Sequence, residues 1–362
     1  MSDRLFVATR KGLFTLTRSG GRWPLGEPAF MGDPVTNILP DRRDGTLYAT
    51  LNLGHFGVKM RRSKDGGRTW EEHAVPSYPT PPEGAPQSPP WKLVQVWSLE
   101  TGGADEPRVL YAGTIPGGLF RSRDSGDSWQ LITSLWNHPA RTEWMGGGYD
   151  APGIHSICVD PRDSRSITVA VSTGGVWQSR DRGETWTARA TGMQAKYMPP
   201  ERWGDPHVQD VHRMVACPSK PDTLWVQHHN GVYRSTDNAA SWQEVREPAL
   251  SCFGFAVAVD PKDANTAWFV PAVKDENRIP VNGQVAVTRT RDGGRTFDIL
   301  REGLPAPAYD LVYRHGLAID ATGERLAIGS TTGGLWLSEN RGDSWQCISA
   351  HLPPVYAVRF AD

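Results

Sequence analysis

Short apolar stretches recur along the whole chain and are separated by turns rich in Gly, Pro, Asp and Ser. Arg4–Thr9, Thr46–Thr50 and Val355–Phe360 are typical examples, and each contains β-branched or aromatic residues. Runs of this length and composition favour β-strands over helices. The pattern therefore predicts an all-β protein built from many short strands.

One eight-residue motif, first seen at Ser63–Trp70, recurs between these strands with the pattern S-x-D-x-G-x-[ST]-W. Its Asp can accept hydrogen bonds from the backbone of its own turn, its Gly supplies a positive φ, and its Trp buries a large apolar surface. One copy has Ala239 and Ala240 where Gly is expected, and the last has Asn340 in the Asp position. The further copies occupy residues 122–129, 179–186, 235–242, 290–297 and 338–345. We predict that these octets are structural turns.

The spacing of the octets predicts the architecture. Their Asp positions, with Asn340 as the last, stand 48 to 59 residues apart, as expected for four-stranded propeller blades. A degenerate copy precedes them, because the strand-like Leu13–Leu16 is followed by Ser19–Trp23, which keeps the Trp and lacks the Asp. The chain therefore contains seven repeats.

These repeats predict one all-β domain over residues 1–362, a seven-bladed β-propeller. The first blade is incomplete, so we expect Val355–Phe360 to pair with the amino-terminal strands and close the ring. Pro76–Pro90 is expected to be a surface loop inside this domain. The blades are predicted at residues 3–25 with 354–361, 35–75, 91–133, 153–189, 210–246, 253–301 and 312–349.

The octet resembles the Asp-box of the BNR-repeat family, which includes sialidases, xyloglucanases, sortilin-type receptors and photosystem-assembly propellers. The resemblance implies a propeller with the boxes at the blade periphery. It does not imply one function, because enzymes, receptors and assembly factors share the box. Exo-sialidase activity is disfavoured, since blades one and two lack the Arg motif of sialidases. Arg213 and Arg314 adjoin His residues and are expected to point to the opposite face of their strands.

Composition and charge disfavour some classes of binding partner. The chain of 362 residues has a formal net charge of −1, so it has no net positive electrostatic field to attract nucleic acid or an anionic membrane. No apolar run is long enough for a membrane span, and Arg4–Thr9 already resembles a blade strand rather than a signal peptide. A cytoplasmic protein is therefore expected. We expect the four cysteines to be buried free thiols, because none has metal-type C-x-x-C spacing.

Three long segments are predicted to lie on one face of the ring, at residues 134–153, 191–209 and 271–284. Loops on a rigid scaffold usually carry function, so a ligand site is expected on this loop-rich face. The candidate catalytic residues there are Glu143, Tyr149, Glu201 and Asp210. The candidate substrate-binding residues are Trp136, Trp144, Trp203 and Gln95. Solvation, turn capping and apolar cover are the alternative explanations for these residues.

Three histidines share one blade-equivalent position near the start of an innermost strand, with Gln95 and Phe255 at that position in two other blades. A fourth, His229, is predicted to reach the same face from a loop. Converging imidazoles could hold one divalent transition metal, Zn, Fe, Mn or Cu, with Asp210 as a carboxylate ligand or orienting partner. A hydrogen-bonded polar ring without metal is the alternative. The histidines at the shared position are His155, His212 and His315.

Three classes of function fit these features. The first is an enzyme of hydrolase or lyase type acting on a small polar or carbohydrate-like molecule. The second is a protein-interaction or assembly propeller without catalysis, and the third is a glycan-binding or glycan-hydrolysing module. The clustering of His, carboxylate and Trp on one face favours the first, because a plain scaffold needs none of it. The expected partners are a small molecule or glycan and, for the second class, a protein.

Overall fold

The computed structural model describes residues 2–84 and 90–361, which form seven antiparallel sheets arranged as a β-propeller. The predicted all-β, seven-bladed fold is confirmed. Residues 85–89 of the predicted Pro76–Pro90 loop lie outside the described residues. Within the described ranges, no helix is long and apolar enough to cross a membrane.

The strands follow the blade order along the chain. The first blade begins with β1 (Arg4–Thr9) and β2 (Gly12–Thr17). The second and third blades contain β3 (Val35–Pro40), β4 (Leu47–Asn52), β5 (Val58–Ser63), β6 (Glu71–His73), β7 (Gln95–Thr101), β8 (Leu110–Ile115), β9 (Leu119–Ser122) and β10 (Gln130–Leu131). The fourth and fifth contain β11 (Ile154–Asp160), β12 (Asp163–Val171), β13 (Gly175–Ser179), β14 (Thr187–Ala188), β15 (Val211–Cys217), β16 (Lys220–His228), β17 (Gly231–Ser235) and β18 (Gln243–Val245). The sixth and seventh contain β19 (Gly254–Val259), β20 (Ala267–Lys274), β21 (Asn277–Pro280), β22 (Val287–Thr290), β23 (Asp298–Leu300), β24 (Leu317–Ile319), β25 (Leu326–Gly329), β26 (Leu335–Ser338) and β27 (Gln346–Ser349). The last strand is β28 (Val355–Phe360).

The core lies between neighbouring blades, because each sheet buries apolar side chains against the next. Tyr111 of the third blade packs with Ile154, Val169 and Trp177 of the fourth, and all four are fully buried. Burying one such side chain contributes roughly 1.5 to 3 kcal/mol, and the clusters repeat around the ring. Seven similar interfaces therefore hold the blades at fixed angles.

The ring closes where the two ends of the chain meet. Strand β28 pairs antiparallel with β1, with Leu5 opposite Phe360 and Val7 opposite Val358, in a sheet of order β2-β1-β28. The backbone N–H of Val358 also donates to the carbonyl of His315 in the seventh blade. The predicted closure is confirmed.

The sequence predicts three strands within residues 3–25, but the structure forms two named strands there, β1 and β2. Beyond β2 only isolated bridges form, between Leu16 and Leu25, between Leu13 and Ala29 and between Ser19 and Arg22. Pro24 flanks this segment and carries no N–H, so a continuous ladder cannot form. The first blade therefore has three named strands.

The octets form the turns between the third and fourth strands of their blades. In the third blade, Asp124 Oδ1 accepts from the backbone N–H of Ser128 at 2.9 Å, and Oδ2 accepts from its hydroxyl at 2.5 Å. Ser122 Oγ accepts from the N–H of Gly126, which has a φ of +87°. Asp65, Asp181, Asp237 and Asp292 accept the equivalent bonds.

The two departures from the octet pattern keep the same turn. Ala239 adopts a φ of +60°, and its N–H still donates to Ser235 Oγ at 3.0 Å. Asn340 accepts from the Ser344 N–H at 3.0 Å through Oδ1 and donates to the Ser344 hydroxyl through Nδ2. An amide can therefore replace the carboxylate in this turn.

The long segments of the loop-rich face contain short ordered elements. The first holds a short helix, α1 (Thr133–Trp136), and a 3-10 turn at Pro139–Glu143. The second holds a 3-10 turn at Pro200–Arg202, and the excursion of the sixth blade contains β21, which pairs with β20, and a 3-10 turn at Val281–Gly283. A further 3-10 turn, Gly54–Phe56, connects β4 to β5.

All four cysteines are free, as expected, but their burial differs from the prediction. Cys217 is buried and Cys158 is half-buried, whereas Cys252 and Cys347 are exposed. Cys347 lies on β27, the outermost strand of its blade, and Cys252 precedes β19 in a loop. Neither position is covered by a neighbouring blade, so the expected burial was wrong for these two.

Deleting the last eight residues, 355–362, should open the ring and lower the melting temperature sharply. The deletion removes the antiparallel partner of β1 and exposes the sheet edges of the first and seventh blades. A synthetic peptide with the deleted sequence should restore part of the stability when added in excess. A melting temperature that stays unchanged after the deletion would contradict ring closure by β28.

Asp124→Ala should destabilise the protein by about 1 to 2 kcal/mol in urea unfolding at neutral pH, because the turn loses hydrogen bonds in an exposed position. Asp124→Asn should cost much less, since Asn340 supports the same turn in the seventh blade. Equal destabilisation by Asp124→Ala and Asp124→Asn would contradict this explanation, because Asn can still accept the hydrogen bond of the turn.

The acid sensitivity of Asp124→Asn should also differ from that of the wild type. Burial opposes ionisation of Asp124, but hydrogen bonds from Ser128 and Ser122 lower the pKa of its carboxyl from 3.8 to about 2. The stabilisation is therefore complete above the ordinary pKa and is lost as the pH falls towards 2. Asp124→Asn should lose less stability than wild type between about pH 5 and pH 2, measured by urea unfolding at each pH.

Candidate functional site

Two adjoining cavities open on the loop-rich face. One has a volume of about 460 Å³ and the other about 690 Å³, and both are lined by Gly148, Phe255, Arg278 and Arg314. We call the joined space the mouth cleft. Its walls come from the loops of several blades, so the closed ring fixes their positions.

One half of the mouth cleft is aromatic. Trp97 of β7 and Tyr149 meet edge to face with ring centroids 5.3 Å apart, and the Tyr149 hydroxyl donates to Gln95 Oε1 at 3.2 Å. The Arg314 guanidinium lies 4.9 Å from the ring centroid of Trp97 and 5.2 Å from that of Phe255. This half therefore offers flat apolar surfaces next to hydrogen-bonding groups. Gln95 and Tyr149, both singled out by the sequence, meet here.

The other half contains a carboxylate between two imidazoles. Asp210 precedes β15, His212 is the second residue of that strand, and His229 follows β16 in the same blade. Asp210 Oδ2 lies 3.2 Å from His229 Nδ1 and 3.5 Å from His212 Nε2. One ligand-type atom from each residue lies within 4.8 Å of the other two.

The hydrogen bonds of this group indicate which ring nitrogens carry a hydrogen. His212 Nδ1 must carry a hydrogen, because its partner at 2.6 Å is the carbonyl oxygen of Gly254. Burial lowers the pKa of His212, and the neighbouring Asp210 carboxylate, which raises it, offsets that shift only in part. Burial also opposes a charge on His229, but the bond to Asp210 raises the pKa of His229.

Asp210 is ionised in this environment. Burial raises the pKa of the Asp210 carboxyl, but contacts with His212 and His229 outweigh it and hold that pKa well below its usual range. The second oxygen, Oδ1, is shielded from solvent and has no hydrogen-bond partner among the described residues. A Cβ on Gly147 would lie 3.2 Å from this oxygen and 2.6 Å from Thr173 Oγ1, so only glycine fits in the covering loop.

The structure does not bring the other two predicted metal-ligand histidines to this group. His155 Nε2 donates to the carbonyl of Val211 at 2.7 Å, and its Nδ1 is paired with the Ser156 hydroxyl at 2.9 Å. His315 Nε2 donates to the carbonyl of His155 at 2.8 Å. Both rings are buried and link blades through backbone oxygens, as the polar-ring alternative expected.

Two of the predicted catalytic residues lie away from the mouth cleft. Glu143 pairs with Arg202 at 3.1 Å and approaches His207 Nδ1 at 3.5 Å, in a cluster that also includes Asp205. Glu201 is exposed in the 3-10 turn beside Arg202. Neither carboxylate lines the two cavities described above.

The three tryptophans predicted to bind substrate do not line the mouth cleft. Trp136 is 1% exposed and Trp144 is 6% exposed, and both pack into the apolar core, so they cannot stack on a ligand. Trp203 donates from Nε1 to the carbonyl of Met198 at 2.8 Å and so braces its own loop. These long loops need an apolar interior of their own, which the tryptophans supply.

Sequence reasoning missed Trp97 and misplaced Arg314. Arg314 was expected to face away from the site, but the innermost strand of the seventh blade, β24, begins only at Leu317. Arg314 lies in a turn before that strand, where the alternation of strand faces does not apply. A β-bulge between Val96 and Ser98 places Trp97, rather than Gln95, at the position equivalent to His155 and His212, which lie at the same kind of bulge.

No family model matches the chain. Its sequence is 29% identical over 156 residues to a xyloglucanase of Paenibacillus sp., which covers 39% of this chain and 13% of that protein. It is 28% identical over 199 residues to a xyloglucanase of Hypocrea jecorina, which covers 48% of this chain and 21% of that protein. The matched part of the chain thus spans less than a quarter of either relative.

Solved structures match over more of the chain. The GH74 xyloglucanase from Xanthomonas campestris superposes with a TM-score of 0.67 at 19% identity, covering 100% of this chain and 53% of that one. YCF48 bound to D1 peptide superposes with a TM-score of 0.57 at 14% identity, covering 93% and 90%. At these identities the likeness shows the fold alone. The chain is therefore a seven-bladed β-propeller, with structural neighbours among GH74 xyloglucanases and YCF48, consistent with the BNR type of propeller.

Proposed function

We propose that the chain is a carbohydrate-processing enzyme that binds a glycan in the mouth cleft and acts on it beside Asp210. The observation that carries this proposal is the junction of an aromatic half with the Asp210, His212 and His229 group in one open cleft. The sequence likeness to xyloglucanases supports the same class of substrate.

The aromatic half suits the recognition of a sugar. Pyranose rings have apolar faces that stack on aromatic side chains, and Tyr149, which is 42% exposed, offers such a surface at the cleft wall while Trp97 supports it edge to face. The hydroxyl groups of the sugar need hydrogen-bond partners, and Gln95, Arg278 and Arg314 supply them around the same space. Tyr149 and Gln95 would therefore bind substrate rather than act in the chemical step.

We infer that Asp210, His212 and His229 hold a divalent transition metal. His212 donates its other ring N–H to a backbone carbonyl, an arrangement common for metal-bound histidine, and Asp210 Oδ1 lacks a partner. Ligands of one ion lie roughly 4 Å apart, against at most 4.8 Å here, so the side chains would close slightly on an ion. Such an ion would polarise an oxygen of the bound sugar.

A second candidate function is binding of a protein segment without catalysis. The favouring observation is the extent of the match to YCF48 bound to D1 peptide, which covers 93% of this chain and 90% of that one. The GH74 xyloglucanase structure from Xanthomonas campestris is matched over 53% of its chain. In this case the mouth cleft would hold an extended peptide instead of a glycan.

Wild-type protein purified without a histidine tag should contain about one transition-metal ion per chain by elemental analysis. His212→Ala should reduce that content at least tenfold, because one neutral imidazole ligand is lost. His351→Ala removes an exposed histidine outside the cleft and should leave the content unchanged. Wild-type protein without stoichiometric metal, after growth with each candidate metal, would exclude the metal site.

Wild-type protein should release reducing ends from xyloglucan oligosaccharides or from another member of a plant and bacterial glycan panel. Asp210→Asn should lower that rate at least a hundredfold with the melting temperature retained. Glu201→Gln should keep it, because that carboxylate lies outside the cleft. Full activity of Asp210→Asn would remove Asp210 from the active site. Peptide binding without any glycan binding would favour the second candidate.

A further inference from the structure

Arginine side chains converge in the central channel on the face opposite the mouth cleft. Two adjoining cavities of about 430 and 190 Å³ lie there, between the innermost strands of the blades. Both are lined by Arg42 after β3, Arg213 of β15 and Arg359 of β28. Strands from three blades therefore direct guanidinium groups into one narrow space.

These guanidinium groups have few partners. Arg213 donates to the carbonyl of His155 at 3.0 Å and to Ser156 Oγ at 3.3 Å. Arg359 Nε is shielded from solvent without a hydrogen-bond partner among the described residues. Within that described part of the chain, no carboxylate lies within 4.0 Å of Arg42, Arg213 or Arg359. The neighbouring Arg43, in contrast, pairs with Asp41 at 2.7 Å.

The carboxylates nearby do not neutralise the arginines. Glu100 and Asp320 line the cavities, so three guanidinium groups without a carboxylate within 4.0 Å face two carboxylates among the described residues. Asp320 is engaged by its own turn, where it accepts from the Thr322 hydroxyl at 2.8 Å and from the backbone N–H of Arg325 at 3.1 Å. Positive charge thus remains in excess in the channel.

Such an excess is costly unless an anion balances it. Arg213 and Arg359 are half-buried and Arg42 is exposed, and a half-buried guanidinium group without an ion-pair partner retains unmet N–H donors. Burial also lowers the pKa of Arg359, and the nearby Glu100 offsets this only in part. The arrangement would be relieved by a ligand that accepts several N–H bonds and carries negative charge.

We propose that the channel binds a phosphate-type oxyanion, free or as a phosphate ester, between Arg213 and Arg359 with Arg42 at the entrance. Each guanidinium group presents a planar fork of donors that matches two oxygens of such an anion. A tetrahedral oxyanion also has acceptors in several directions, as arginines from separate blades require. Chloride has no such directed acceptors.

This site is separate from the mouth cleft and does not depend on the proposed function. His315 lines the first cavity of the cleft and also the smaller channel cavity, and its Nε2 bonds to the His155 carbonyl. Arg213 donates to the same carbonyl from the channel side. The His155–His315 contact therefore forms the partition between the two spaces.

The test is isothermal titration calorimetry of the full chain with inorganic phosphate, at constant ionic strength set with chloride. Wild type should show saturable binding with about one site per chain. Arg213→Gln and Arg359→Gln should each weaken binding at least tenfold. Arg123→Gln, an exposed arginine on an octet turn, is the control and should bind like wild type.

Thermal unfolding gives a second measurement, which works with inorganic phosphate even if the natural ligand is a larger phosphate ester. Without phosphate, Arg359→Gln should melt at or above the wild-type temperature, because it removes repulsion from Arg213. Phosphate should then raise the melting temperature of wild type and Arg123→Gln more than that of Arg359→Gln. Absence of saturable phosphate binding by wild type, or binding by both channel variants with the wild-type affinity, would overturn the proposal.

Discussion

The pairing of β28 with β1 is the constraint on which the rest of the molecule depends. Every other blade is a continuous stretch of chain, whereas the first blade takes its innermost strand from residues at the opposite end. Because each blade packs against two neighbours, an unpaired β1 would leave two blades with one exposed side each. The mouth cleft and the channel are both enclosed by the same ring, so their geometry depends on this closure.

Two histidines at the same position show how a repeated fold yields different chemistry. His155 and His212 are each the second residue of an innermost strand, and each donates to the carbonyl of the first residue of the next innermost strand, Val211 or Gly254. His155 uses Nε2 for this link and pairs Nδ1 with Ser156. His212 uses Nδ1, so its Nε2 is left facing Asp210. Both ring nitrogens of His155 are hydrogen-bonded, whereas His212 keeps Nε2 at the cleft, facing Asp210.

The two faces carry different sets of charged groups. The mouth cleft places an ionised carboxylate, Asp210, between imidazoles and shares its lining with Arg314, whereas the channel beyond the His155–His315 partition gathers Arg213 and Arg359. The octet turns lie elsewhere, between the outer two strands of the blades, and their hydrogen bonds stabilise those turns. The octet turns and the cleft are thus built from different parts of each repeat, an arrangement that lets one fold carry many kinds of site.

The sequence by itself determined the repeat, the blade number and the turns, because octet spacing and strand composition are local properties that each blade repeats. It also indicated the loop-rich face, with Gln95, Tyr149, Asp210, His212 and His229 as members. Only the tertiary structure decided that Trp136 and Trp144 are core residues and that Glu143 and Glu201 lie outside the cleft. The reason is that burial and ring orientation depend on neighbouring blades, which are distant in sequence. The same holds for Arg314, whose side chain faces the cleft because β24 starts after it.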